Sequence, residues 1–215
     1  MSGQSAYLKT IPTTRNLSNG IVTATQYELY QPFSFGDKVI ERYLDYGTPA
    51  QRVKTYEYYT DISDYGYGKL AKRVDFDGKW TKYEYDSSGR LIKEVSPFGD
   101  AADTAPESQC QVITYDYTKL ESSESSDAAD SPRWRRRIVT ICGQETGRQY
   151  RQFFSDREKT ITATIPGAAW DTTSNSVETT EFTNHWNCVC GEYVRRDTLI
   201  AGSDGYVEQI SYADN

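Results

Sequence analysis

Histidine and long apolar runs are what the 215-residue chain has least of. It holds one histidine, His185. Any Ser-His-Asp or Cys-His arrangement would have to be built on that residue. No Gly-x-Ser-x-Gly elbow is present to expose a serine. Neither Gly-x-x-x-x-Gly-Lys-Ser/Thr nor Gly-x-Gly-x-x-Gly occurs, so no phosphate cradle is expected. Four cysteines, Cys110, Cys142, Cys188 and Cys190, are too few for a disulfide framework at this length. His185-x-x-Cys188-x-Cys190 offers three ligands where a structural zinc wants four, so the thiols are expected to pack as small apolar groups. These shortages argue for no catalytic residue, no metal and no cofactor. A hydrolase built on paired carboxylates stays open as an alternative, because carboxylate separation is a three-dimensional property.

Positive charge is also in the minority. Lys plus Arg number 24 against 31 Asp plus Glu, a formal −7. An acidic surface repels phosphate backbones and anionic lipid, which argues against nucleic acid as a partner. The local exception, Arg133-Trp134-Arg135-Arg136-Arg137, reads as a solvated strand face or as a partner for the acidic stretch before it, in preference to an anion site. No apolar run approaches the roughly 20 residues of a membrane span. Met1 is followed by polar Ser2-Gly3-Gln4-Ser5 with no basic-then-apolar leader, so a secretion signal is expected, if anywhere, in a longer parent chain.

Aromatics are plentiful: 18 Tyr, 7 Phe and 4 Trp, in a chain only 37% hydrophobic. Disordered chains lack such residues. Helical periodicity is absent, while period-two alternation of β-formers recurs at 21–27, 52–58, 81–85, 111–117, 137–142, 160–165 and 206–212. Between these runs sit glycine turns. Asp77-Gly78 has the composition of a two-residue type I′ turn, with positive φ at both residues. Ser87-Ser88-Gly89 and Ser203-Asp204-Gly205 fit longer loops that end in a left-handed glycine. The expected fold is all-β, tandem antiparallel hairpins in a continuous curved meander.

The turns repeat. Tyr83-Glu84-Tyr85-Asp86-Ser87-Ser88-Gly89-Arg90-Leu91 is closed by Pro97-Phe98-Gly99. Upstream, Tyr56-Glu57-Tyr58 leads to Gly68-Lys69-Leu70 and then to Gly78, with six extra residues in its 61–67 turn. A third copy runs from Tyr27 and Tyr30 through Gly36 to Gly47. Tyr115-Asp116-Tyr117, Gly147-Arg148-Gln149-Tyr150 and Gly191-Glu192-Tyr193 are weaker echoes, the last two read as strand starts after a turn. Tyr83 and Tyr85 share a strand face, Asp86 can accept turn N–H groups, Gly89 supplies positive φ and Leu91 opens the return strand. A lone hairpin is marginal, so each must pair with its neighbours, at roughly 0.2–1 kcal/mol per cross-strand contact.

The string Tyr83-x-Tyr85-Asp86-x-x-Gly89-Arg90-Leu91, closed by Pro97-x-Gly99, resembles the YD repeat of bacterial Rhs proteins, Tc-toxin C components and teneurins. The resemblance covers about 26–99. It departs at Tyr59 where Asp86 is expected, and at Phe76 where Pro97 is expected. It implies hairpins paired edge to edge in a strip that coils into a shell, able to enclose a toxic polypeptide. It also implies a secreted or cell-surface bacterial setting, and neighbouring repeats or other copies as partners through the sheet edges. The family's self-cleaving core carries Asp-Pro motifs; none occurs here, so neither self-cleavage nor an attached toxin is expected. The division is then 1–120 as repeats, 121–132 as an acidic Ser-rich loop, and 133–215 as a less regular continuation. The 121–132 loop and a smaller 100–108 insertion are expected to project from one edge. The alternative to a structural strip is a surface module that stacks glycans on exposed aromatics, although a tyrosine repeated in every hairpin suits mortar better.

Overall fold

The computed structural model describes residues 6–13, 24–120, 133–154, 157–187 and 192–213. Its fourteen strands follow one another in chain order. They are β1 (Tyr7–Thr13), β2 (Ala24–Phe33), β3 (Gly36–Leu44), β4 (Arg52–Tyr58), β5 (Leu70–Val74), β6 (Trp80–Tyr85), β7 (Leu91–Pro97), β8 (Cys110–Asp116), β9 (Arg136–Ile141), β10 (Gln144–Phe153), β11 (Arg157–Thr162), β12 (Ser176–Asn187), β13 (Glu192–Gly202) and β14 (Val207–Ala213). One 3₁₀ turn, Glu107–Gln109, precedes β8. The all-β antiparallel meander expected from the alternation is therefore the fold. By compactness the chain divides into Met1–Gln111 and Val112–Asn215.

In the first unit the repeat is a matter of register. Tyr30 faces Val39, Tyr58 faces Leu70 and Tyr85 faces Leu91, and in each hairpin one extra residue on the return strand (Ile40, Ala71, Ile92) makes a β-bulge beside that pair. A bulge kinks its strand and interrupts the ladder. The ladders to the next hairpin are accordingly short, ending at Glu41↔Thr55 and Lys72↔Lys82. The register also corrects the third copy: Glu28, not Tyr27, holds the place of Tyr56 and Tyr83.

The turns confirm one expectation and revise another. Gly89 and Gly205 have φ of 71° and 87°, as their loops require. Asp77 is not left-handed; Gly78 alone is, at φ 83°. Asp75 N–H bonds to the Lys79 carbonyl at 2.8 Å and Gly78 N–H to the Asp75 carbonyl at 2.9 Å. The loop is thus three residues, the same form as Asp86–Arg90, where the corresponding distances are 2.9 and 2.8 Å. A type I turn relaxed by one left-handed glycine spares Asp77 the αL cost. The two-residue turn with both φ positive falls at Cys142-Gly143, φ 50° and 78°.

The 100–108 insertion does not project. Trp80 Nε1 donates to the Ala101 carbonyl at 3.0 Å, Lys72 Nζ meets Asp103 Oδ2 at 2.5 Å, and Lys93 meets Glu107 at 3.0 Å. Trp80, Val95 and Cys110 are the buried apolar residues described in this unit. The strap lies back over β5–β7 because the half-buried lysines of those strands, Lys72 and Lys93, offer charge to its acids.

The second unit is also a meander, with longer strands. Bulges recur at Thr146 on β10 and Val194 on β13. Trp186↔Tyr193 beside the Val194 bulge repeats the Tyr85↔Leu91 relation, as the Gly191-Glu192-Tyr193 echo implied. Gly147 corrects the other echo: it sits beside the Thr146 bulge, three residues inside β10, and not at a strand start. The arginine run is not a simple solvated face either. Arg135 is 1% exposed, with its guanidinium 4.6 Å from the ring centre of buried Phe153. An arginine can lie flat on an aromatic face and shed water at little cost. The 121–132 loop, Cys188 and Cys190 lie outside the described residues.

Candidate functional site

Tyrosine hydroxyls bridge the places where the ladders stop. Tyr58 donates to the Val39 carbonyl at 2.9 Å, and Tyr85 to the Leu70 carbonyl at 3.0 Å. Val39 and Leu70 are the register partners of Tyr30 and Tyr58, so in these two hairpins the second tyrosine caps the equivalent carbonyl of the hairpin before it. A carbonyl left by a bulge needs a donor when half-buried, and a phenol on a rigid ring supplies one. Burial first, then repulsion from neighbouring Tyr83, Tyr59 and Glu94, pushes the Tyr85 phenol up to about 12. Burial likewise raises Tyr58 and Tyr83.

Tyr59 adds a rung that the motif did not announce. It replaces the aspartate of the repeat, donates to the Tyr83 carbonyl at 2.7 Å and meets the Tyr85 ring edge-on at 6.0 Å. Its own backbone still closes the turn, to Lys69 at 3.0 Å and from Gly68 at 2.9 Å. Lys69, at the Arg90 position, reaches the Gly89 carbonyl of the next hairpin and lies 5.1 Å from the Tyr85 ring centre. Alternation alone could have flagged Tyr59 as the odd residue beside a tyrosine pair, but not its partner.

The other repeat residues lie in the turns and on the strands beside them. Asp86 Oδ1 accepts from Ser88 N at 2.9 Å and Arg90 N at 2.8 Å, and its Oδ2 accepts from Arg90 Nε at 2.8 Å. Burial alone would raise this carboxyl, but the Arg90 backbone and guanidinium, with Ser88, hold it below the usual range. Gly68, Gly78, Gly89 and Gly99 are all left-handed. Tyr56 faces Arg73 across the ladder and lies under the Lys54 ammonium at 5.7 Å. Leu91 starts and Pro97 ends β7.

The second unit carries a cleft of about 420 Å³, a size usual for small-molecule sites. Asp116, Lys119, Leu120, Arg136, Arg148, Tyr150, Ala169 and Trp170 line it. Sequence reading weighed only Arg136 among these, as part of the arginine run, and preferred a solvated face to an anion site there. Trp170 is positioned by the 163–175 loop, pinned where the Tyr150 hydroxyl donates to Ala168 O at 2.6 Å and Asn175 Nδ2 donates to Ala169 O at 2.8 Å. Gly167 N–H donates to Glu145 at 2.6 Å. Both guanidiniums are engaged, Arg136 by Asp116 and Arg148 by Glu145 at 2.6 Å. The Arg148 guanidinium first, then the Gly167 N–H, holds the Glu145 carboxyl low. The side chains of Asp116, Arg136 and Arg148 thus share one cleft with that of Trp170.

Cys110 is buried and Cys142 exposed. Among the described residues no group of His, Cys, Asp and Glu is arranged to hold a metal. His185 lies on β12 opposite Arg195. No helix among the described residues is long and apolar enough to cross a membrane, which says nothing of strands.

No family model and no curated protein matches the chain. Among solved structures it is similar to a porin-like protein from Bacteroides uniformis ATCC 8492, at 12% identity over 87% of each chain and a TM-score of 0.36. That likeness is too faint to carry an argument.

Proposed function

We propose that the chain is a non-catalytic structural module of the YD-repeat kind found in Rhs proteins, Tc-toxin C components and teneurins. It builds part of a β-shell, outside the cell or around a toxic polypeptide. The observation that carries this reading is the bulge-and-hydroxyl relation, in which Tyr58 and Tyr85 cap equivalent carbonyls one hairpin back. Side chains committed to that relation are mortar. They let hairpins add indefinitely along the strip. Its partners are neighbouring repeats or other copies, through the backbone edges that β1 and β14 present. Electron microscopy of the full product of the gene is the test. A hollow wall containing these hairpins is the expected result, and a solid globular particle that turns over a substrate refutes the reading.

A second reading, glycan binding, is favoured by the Trp170 cleft. A glycan array followed by Trp170→Ala tests it: hits that vanish in the variant support the reading, and a blank array removes it.

A further inference from the structure

Four of the tyrosines with described hydroxyl partners donate to carboxylates and not to carbonyls, and the difference matters chemically. Tyr7 Oη donates to Asp37 Oδ2 at 2.7 Å, and Tyr30 Oη to Glu28 Oε2 at 2.7 Å. Tyr43 and Tyr206 donate to Glu41 and Glu208. A carbonyl cannot take a phenolic proton at neutral pH. A carboxylate can, so a phenol bonded to one loses an electron and a proton together more readily.

Tyr7 and Tyr30 alone among these also stack on one another. They are direct cross-strand partners on β1 and β2, with ring centres 5.5 Å apart and planes within 11°. Tyr7 is 44% exposed and open to a large oxidant. The Lys9 ammonium, 5.8 Å from the Tyr30 ring centre, disfavours a first hole on Tyr30 and directs it to Tyr7.

We propose that Tyr7 and Tyr30 form an oxidative cross-linking site, in which a haem peroxidase and hydrogen peroxide join the two rings as dityrosine. Tyr7 gives one electron to the peroxidase and its phenolic proton to Asp37; Tyr30 gives a second electron, with its proton to Glu28. The two phenoxyl radicals couple through ring carbons ortho to oxygen. Each ortho hydrogen then moves as a proton to its own ring's oxygen, which restores both phenols. Two electrons and two protons leave the protein, and they reduce one hydrogen peroxide to two waters. The new carbon–carbon bond fastens β1 to β2, the strand it pairs with among the described residues.

The test treats dilute full-length protein with a haem peroxidase and hydrogen peroxide, then reads dityrosine fluorescence and maps the product by peptide mass spectrometry. The expected product is a monomer in which the peptides bearing Tyr7 and Tyr30 are joined and two hydrogens lighter. Tyr7→Phe, checked for fold by circular dichroism, loses that product. Asp37→Asn keeps both rings but slows its appearance, and Tyr46→Phe leaves it unchanged. Absence of dityrosine, a link mapped to Tyr27 and Tyr46 instead, or exclusively intermolecular links overturns the proposal.

Discussion

Tyr85→Phe isolates the hydroxyl on which the repeat depends. The substitution keeps the ring, its edge contact with Tyr59 at 6.0 Å and its place 5.1 Å from the Lys69 ammonium. It removes one bond, Oη to the Leu70 carbonyl at 3.0 Å. A hydrogen bond of this kind contributes about 0.5–1.5 kcal/mol net, and the half-buried Leu70 carbonyl can recover part of that from water. A loss of about 1 kcal/mol follows, or about 2–4 °C in Tm for a chain of this length. A second signature lies in alkali. The unfolded phenol ionises near its ordinary value of about 10, and the folded one near 12. Between those values the unfolded state holds fewer protons, so stability present below pH 10 is lost as pH rises through the folded pKa. The full shift would be worth about 2.7 kcal/mol. For a half-exposed ring, solvent screening leaves about 1 kcal/mol of it. Thermal denaturation by circular dichroism at neutral and alkaline pH, with tyrosinate titration in the near ultraviolet, reads both effects. Tyr58→Phe should cost a similar amount and add to Tyr85→Phe within about 0.5 kcal/mol, because the two hydroxyls share no partner. An unchanged Tm, together with loss of a tyrosinate that titrates at the ordinary value, refutes the reasoning.

Gly89→Val should destabilise by about 1–3 kcal/mol in urea denaturation, since φ is +71° and an added Cβ would stand 2.6 Å from Lys69 Nζ; parity with the parent would contradict the turn. Gly66→Ala should cost about 1–3 kcal/mol for a different reason, because its Cβ would lie 2.4 Å from Tyr59 Cδ2. That penalty should shrink in a Tyr59→Leu background, and an equal penalty there would show that the ring is not what fills the space. Asp86→Asn should flatten the acid limb of the stability curve. Its carboxyl is held below the usual range when folded, so its contribution is present above the ordinary carboxylate pKa and lost as pH falls through the folded one. An acid limb identical in parent and variant would remove Asp86 from the turn's energetics.

The parts of the fold that were legible in the sequence are those set by backbone chemistry. Arg52–Tyr58 is a strand end to end because its alternation is uninterrupted, and Gly89 and Gly205 are left-handed because no other residue in their loops tolerates it well. What was illegible depended on who sits opposite whom. Glu28 occupies the first-tyrosine position, yet nothing in Gln26–Tyr30 reveals it without the bulge at Ile40. β11 begins at Arg157, where charge hides the alternation that is plain from Thr160 onward. Arg135 reads as a surface charge until Phe153 is brought under it from β10. The Trp170 cleft depends on a loop pinned by Tyr150, a contact eighteen residues away in the chain.

The bulge explains why the copies differ in length yet not in architecture. From Tyr30 to Val39, Tyr58 to Leu70 and Tyr85 to Leu91 the chain spans nine, twelve and six residues; the extra residues lie beyond the bulge, as further ladder pairs (Gln31↔Lys38 to Phe33↔Gly36) in the first copy and as a longer tip in the second. The tip faces solvent, and lengthening it costs little entropy. Changing the residue count between the tyrosine and the bulge would instead turn every later side chain onto the other face. Even the long tip is put to use: Tyr67 bonds Ser34 at 2.6 Å and meets Phe35 edge-on at 5.2 Å, so it grips the preceding tip as the tyrosines grip the preceding strand. Hairpins joined in this way need few aliphatic residues. Their cohesion resides in rings, hydroxyls and surface ion pairs such as Lys54–Asp75 at 2.5 Å and Lys93–Glu84 at 3.0 Å. Because ring and carbonyl need only a fixed register, the residues between them are free to vary, which is why one copy shows the full motif and its neighbours only its outline.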